Sequence, residues 1–425
     1  MPASSTSRSA NAIIGTCLRR RRSSTGQDPR PSGVSYWKLV GMGEPFRLLF
    51  PLGTAIGIFG VALWPWHIWG NWTIWPAVPH ARIMMEGFVG AFVAGFLGTA
   101  LPRLLGVGRF GLGTTLILAA GFVSLTVAHA MGLYLAGDIL FLVTMGGLVG
   151  TLAWRARKRE DVPPPGFVLV LMGLLSALYA AGVWVWFWVA PAAVNEFQLA
   201  LARLLLYQGY ILLPIMGVGA FLLPRFFGLP NRQVFPESRS LPPGWTGRAV
   251  FALACGVVVL GGFFVEAEGR PGLGAGLRAA GMLVYFFREV PLHKAGWGGG
   301  SLVFGLRVAL LSFPVGYALM AGWPQHSMSF LHVVAITGIS LVTFVVASRV
   351  VLGHSGQAHR FRLPVRSVQV LVWLLVLAMI TRVSADWMPT IRLSHYGYAA
   401  GSWIVGVLIW ALAIFPSVRR PDEEE

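Results

Sequence analysis

Cysteine is nearly absent from this chain: two occur in 425 residues, Cys17 in a Ser/Arg-rich stretch and Cys255 inside an apolar run. That excludes a disulfide framework and any zinc or iron–sulfur site built on several thiolates. Charge is scarce as well. Asp, Glu, Lys and Arg make up 12% of the residues, against about 25% in soluble globular proteins. Polar surface is therefore too small to cover a water-soluble body of this length. Signatures of nucleotide and hydrolytic chemistry are missing too: there is no Walker loop, no G-x-G-x-x-G, no nucleophile elbow and no H-E-x-x-H.

What the chain has in quantity is apolar sequence. Hydrophobic residues make up 56%, with 53 Gly and 17 Trp, and the mean hydropathy is +0.68. Apolar runs recur at 48–66, 83–102, 111–132, 135–154, 166–189, 200–223, 249–266, 276–287, 301–321, 329–351, 367–385 and 398–416. Most are long enough to cross a bilayer as helices. The eighth, LRAAGMLVYFF, is short, which leaves eleven as the alternative count. The pattern predicts an all-α, polytopic bundle of about twelve transmembrane helices.

The net charge of +17 would suggest nucleic acid in a soluble protein, but the basic residues sit on alternate loops and no nucleic-acid-binding motif accompanies them. One side receives RRRR at 19–22, Arg103, Arg109, RARK at 155–158, Arg225, Arg232 and the arginines of 360–366; the other receives little beyond Arg82, Arg270, Arg278 and Arg392. By the positive-inside rule both termini are expected in the cytoplasm. The opposite loops carry aromatic belts, WPWHIWGNWTIW at 64–75 and VWVWFWVAP at 183–191. Residues 1–45 read as a disordered basic cytoplasmic tail, 46–418 as one transmembrane domain and 419–425 as a short acidic tail. Gly87, Gly90, Ala94 and Gly98 line one face of the second segment, which predicts close helix contacts and a central position for it. No internal repeat stands out by eye.

Topology sorts the nine histidines. His67, His80, His129, His326, His332 and His395 fall at the aromatic side, and His293, His354 and His359 at the basic side. His332 and His354 belong to one helix and are about 33 Å apart at 1.5 Å per residue, so they cannot share an ion. His80 and His332 instead reach the same depth from different helices. Met84 follows His80 by one turn on the same face, and a His/Met pair suits copper(I) or a haem axial position. His80, His332 and Met84 are thus the first metal candidates, with His67, His129, His326 and His395 as further ones. Glu86 lies one turn after Arg82, so the two can pair. It is the foremost intramembrane ionisable group, a candidate proton carrier or orienting residue. Asp138, Arg203, Arg307, Arg349 and Asp386 also lie in or beside apolar runs.

Three stretches carry a family likeness: EPFRLLFPLG (44–53), HARIMMEGFVGAFVAGFLGTALPRLLG (80–106) and FLHVVAITGISLVTFVVASRVVLGHSG (330–356). They resemble the NnrS family of polytopic membrane proteins, described as binding haem and copper and linked to nitric oxide stress. The resemblance spans about residues 44–416 and implies a metal role for His80, Met84 and His332. It also carries over the Arg349, Leu352, Gly353, His354, Ser355, Gly356 ending, making Arg349 and His354 candidates for an anion or second cofactor. Relatives often read His-Ala-His-Glu-Met where this chain has His80, Ala81, Arg82, Ile83 and Met84. Their Gly-Gly-Arg before a proline is here Gly219, Ala220 and Phe221, ahead of Pro224. A ligand and an anion partner are thus replaced, and Arg82 becomes a candidate contact for a haem propionate.

The resulting expectation is a bacterial inner-membrane metalloprotein holding haem and/or copper and acting in nitric oxide or nitrogen-oxide metabolism. Its partners would be the bilayer, nitric oxide as a gaseous ligand and an electron donor, with no nucleic acid. Such a metal can reduce nitric oxide, sense it or buffer it; catalysis would need that donor. The rival classes are a proton-coupled permease without metal and a scaffold of a respiratory complex.

Overall fold

A polypeptide in lipid must satisfy its backbone polar groups internally, which long apolar runs do as helices. The computed structural model describes residues 35–296 and 298–421, and among them every regular element is a helix. Residues 1–34 and 422–425 lie outside the described residues, and with them most of the expected basic and acidic tails. The described residues ahead of Phe46 include a short helix at Tyr36–Gly41 that buries Leu39 and Val40.

Among the described residues, eleven helices are long and apolar enough to cross a membrane: α1 (Phe46–Trp69), α2 (Ala77–Leu104), α3 (Leu112–Ala130), α4 (Tyr134–Ala156), α5 (Phe167–Val189), α6 (Glu196–Phe227), α7 (Trp245–Ala267), α9 (Gly300–Gly322), α10 (Pro324–Gly353), α11 (Arg366–Trp387) and α12 (Pro389–Arg419). The uncertain eighth segment is the helix α8 (Pro271–Glu289), with 19 residues. It is about 28 Å long at 1.5 Å per residue, close to the hydrocarbon thickness of about 30 Å.

Parity shows that α8 crosses too. Arg47, at the start of α1, donates hydrogen bonds to the carbonyls of Val418 (2.6 Å) and Arg420 (2.8 Å) at the end of α12. The chain therefore begins and ends its crossings at one face, which takes an even number of passes. Eleven apolar spans and α8 make twelve.

The twelve helices form three sets of four, a repeat that the sequence does not display: α1–α4, α5–α8 and α9–α12. Within each set the last two helices form a tight antiparallel hairpin, and α4 packs on α5, α8 on α9, and α12 back on α1, closing a ring. The second helix of each set stands inside that ring. Buried shares of the spans single it out: 83% for α2, 67% for α6 and 67% for α10, against 33–61% for the other apolar spans. Each of these inner helices also contains a π-helical stretch near its start, at Ile83–Val89, Leu205–Gly209 and Val333–Ser340. Such insertions are uncommon and gather at functional sites.

The glycine face of α2 does what its spacing predicts. A Cβ at Gly87 would lie 2.7 Å from Ile56 of α1, and one at Gly90 would lie 2.7 Å from Phe122 of α3. Glycine allows these neighbours to approach to backbone distance.

Candidate metal centre

The three inner helices divide the ring into three compartments near the tryptophan-rich face. Each compartment holds an arginine, an acidic partner and an aromatic ring. Between α2 and α6, Arg82 NH1 lies 2.8 Å from Glu86 and 3.2 Å from Asp138, with the guanidinium 4.3 Å from the Trp184 ring centre. Where α7, α8 and α9 meet, Arg278 pairs with Glu266 and packs over Phe263 and Tyr317. Between α10 and α2, Arg382 lies 3.7 Å from Asp386 and 4.0 Å from the Tyr396 ring centre. In the first two the arginine is buried among its partners.

The third compartment holds a cavity of about 110 Å³. His80 and Met84 from α2 and His332 from α10 line it, with Arg382 and Tyr396 on the α11–α12 side. The shared depth read from the sequence thus becomes a shared cavity. Both imidazoles are held the same way. His80 Nδ1 donates to the Gly60 carbonyl at 3.0 Å, and His332 Nδ1 donates to the Met328 carbonyl at 2.8 Å. A proton fixed on Nδ1 leaves the Nε2 lone pair as the ligand atom, which is how metal-binding histidines are usually oriented. Each histidine immediately precedes the π-helical stretch of its helix or lies three residues before it.

Arg382 escaped the sequence reading. Its signal is an arginine four residues before Asp386 inside an apolar run, the same i, i+4 spacing as Arg82 and Glu86. Tyr396 and Ser329 hydroxyls already donate to Asp386. Arg382 NH1 is buried and makes no hydrogen bond, so it is an unfilled cationic donor at the cavity.

Arg82 does not line this cavity. Two residues apart on a helix point about 200° apart, so Arg82 leaves His80 behind and faces Glu86 and Asp138. The pairing of Arg82 with Glu86 is as the sequence suggests. Its suggested role beside a haem propionate in the His80 site has no support in this geometry, because the cavity lining includes Arg382 and not Arg82. Glu86 likewise stands outside the cavity, where it accepts a hydrogen bond from His129 Nε2 at 2.8 Å. Glu86, His129 and Asp138 present ligand atoms within 4.8 Å of one another, but the Arg82 guanidinium already supplies their cation. His67, His326 and His395 stay out of the cavity: His67 donates to the Trp72 carbonyl, His326 stacks near Trp387 at 4.7 Å, and His395 donates to the Ile391 carbonyl. Arg203 is exposed, and Arg307 packs 5.7 Å from the Phe227 ring centre.

Arg349 and His354 do not meet at a common site. Arg349 lies between the Phe226 and Phe361 rings, at 4.3 and 4.4 Å. His354 Nδ1 lies 3.1 Å from Glu44, which also accepts from Arg103 at 2.8 Å and pairs with Arg47. Arg47 donates in turn to the His354 carbonyl at 2.7 Å. This cluster joins the ends of α1, α2, α10 and α12 at the arginine-rich face, so its evident work is to lock the bundle.

Burial alone would raise the Glu44 carboxyl, but the hydrogen bond and charge of His354, the charge of Arg47 and the hydrogen bond from Arg103 outweigh it and hold it well below the ordinary carboxylate range. A carboxyl depressed in the folded state stabilises fully above its unfolded pKa of about 4.3, and loses that share as pH falls toward the folded value. Glu44→Gln should therefore lower the thermal midpoint of the detergent-solubilised protein at pH 7. The gap to the parent should narrow steadily below about pH 4.3. A gap independent of pH would show that the Glu44 charge contributes nothing.

Among curated proteins no sequence matches the chain. The family described as NnrS protein matches residues 42–421, which covers every membrane helix and both imidazoles of the cavity. With the all-helical, multi-pass architecture, that match over nearly the whole length shows that this chain belongs to the NnrS family.

Proposed function

We propose that His80 and His332 hold one redox-active metal centre, haem iron or copper, near the tryptophan-rich face, and that the protein acts on or responds to nitric oxide or related nitrogen oxides. In this reading it lies in a bacterial inner membrane with the arginine-rich face toward the cytoplasm, as the positive-inside rule requires. One observation carries the proposal: two imidazoles from separate inner helices line the same cavity, each with Nδ1 tied to a backbone carbonyl and Nε2 free.

The residues present fit such a group. Two neutral imidazoles suit haem iron or copper, and the Met84 thioether adds a soft donor that favours copper(I). The unfilled Arg382 NH1 favours an anionic group beside the metal, as a haem carboxylate would be. At about 110 Å³ the cavity admits an ion with a small ligand, whereas small-molecule sites start at roughly 300 Å³, so haem requires the walls to part. Either group would supply an open-shell metal able to bind a diatomic and exchange an electron. This chain's residues orient the ligand atoms, exclude bulk water and place a positive charge at the rim.

Purified protein from haem- and copper-replete cells should show a Soret band or near-stoichiometric copper. A colourless, metal-free and fully assembled protein would overturn the reading and return the choice to a permease or a scaffold. Arg382 separates the two metals. Arg382→Ala should weaken haem retention by roughly ten- to a hundredfold, as loss of a supporting partner does at other metal sites, with Arg382→Lys recovering part of it. Copper content should change little in either variant.

A further inference from the structure

The ring of helices has a second void, about 100 Å³, on the central axis where α2, α6 and α10 meet. Phe92 and Val93 of α2, Ile215 of α6, and Val342 and Ala347 of α10 are among its walls, with Phe50 of α1 and Leu310 of α9 completing the lining. Its lining has a single polar side chain, Thr343. Protein interiors are otherwise close-packed, and an empty space costs stability in proportion to its volume.

The chemistry of the walls decides what fits. A buried water needs two to four polar partners, and one threonine hydroxyl does not supply them. An ion would lose its hydration for nothing. A lipid tail needs a longer slot than about 100 Å³ provides. Apolar cavities of roughly 150 Å³ stay dry and take up xenon or benzene, so a void of this size suits one small, uncharged, apolar molecule. The void also adjoins the metal-centre cavity. Val89 belongs to both linings, and on α10 Ser340 faces one cavity while Val342 faces the other.

We propose that the axial void is a holding site for small uncharged molecules of the diatomic-gas class, which pass Val89 to reach the cavity of His80 and His332. The holding site stands on the void alone; the onward passage rests on the metal-centre reading.

Xenon tests the first part without any metal. Crystals of the full chain pressurised with xenon should show an anomalous peak between Phe92 and Val342. Ala347→Phe should abolish that peak, and the milder Val93→Leu should reduce it if the larger side chain prevents assembly. No peak in the parent protein, or continuous tail-shaped density, would overturn the holding site even if the metal is present. In metal-loaded protein, Val89→Phe should slow carbon monoxide rebinding after flash photolysis by roughly tenfold, a barrier increase of the size that one displaced side chain imposes. An unchanged rate would overturn the passage while leaving the metal reading intact. A protein that carries xenon but no metal would support the void and sink the metal centre.

Discussion

Replacing His332 by alanine should abolish the metal binding proposed for the His80–His332 cavity while leaving the helix bundle assembled. Removing a partner that merely supports a ligand lowers metal affinity by roughly 10–100-fold, and removing the ligand atom itself should exceed that. The imidazole is only partly buried and its Nδ1 bond runs to a carbonyl one turn earlier. Truncation therefore leaves little packing unfilled. His80→Ala should behave alike, and the double variant should be no worse than either, since both act on one centre. Absorbance at the Soret band, copper analysis and size-exclusion profile read the three outcomes together. Retention of full metal in both single variants would place the centre elsewhere. The next place to look would be the group of Glu86, His129 and Asp138, whose ligand atoms lie within 4.8 Å of one another.

The second large effect falls on stability. Arg82 is 2% exposed and stands between the carboxylates of Glu86 and Asp138, both fully buried. Arg82→Met should destabilise the protein by about 3–5 kcal/mol, because breaking a buried ion pair leaves its partners uncompensated. The triple variant Arg82→Met, Glu86→Gln, Asp138→Asn should recover most of that loss, since it removes the charges that the arginine balances. Thermal unfolding in detergent, followed by tryptophan emission, compares the two. Equal losses would show that packing over Trp184, rather than charge, is what Arg82 contributes. Neither variant touches the His80 cavity, so metal content per folded molecule should stay constant. That separates a stabilising network from a ligand position.

The histidine pair was legible in the sequence because depth in a bilayer is a one-dimensional quantity. Counting residues from the aromatic belt places His80 and His332 at one level, and counting along α10 forbids His332 and His354 from sharing an ion. Met84 follows from simple helical spacing. The same arithmetic should have moved Arg82 away: a step of two residues turns it about 200° from His80. Arg382 was hidden for a different cause. Nothing along the chain announces that the end of α11 lies beside α2 and α10, so the arginine's place at the cavity follows only from the packing of those helices.

By itself the sequence determined the membrane class and the helical architecture, and it placed His80 and His332 at one level. Scarcity of charge and the bilayer's demand for satisfied backbone groups leave few alternatives, so composition suffices. Only the tertiary structure decided the threefold arrangement, the crossing of α8, the cavity that joins the two histidines and the partners of Arg82, Arg349 and His354. Each depends on which helix faces which. A π-helical insertion adds a residue to a turn and rotates the remaining face by about 100°. Three inner helices carry such insertions, and a reading by regular helical period cannot see them.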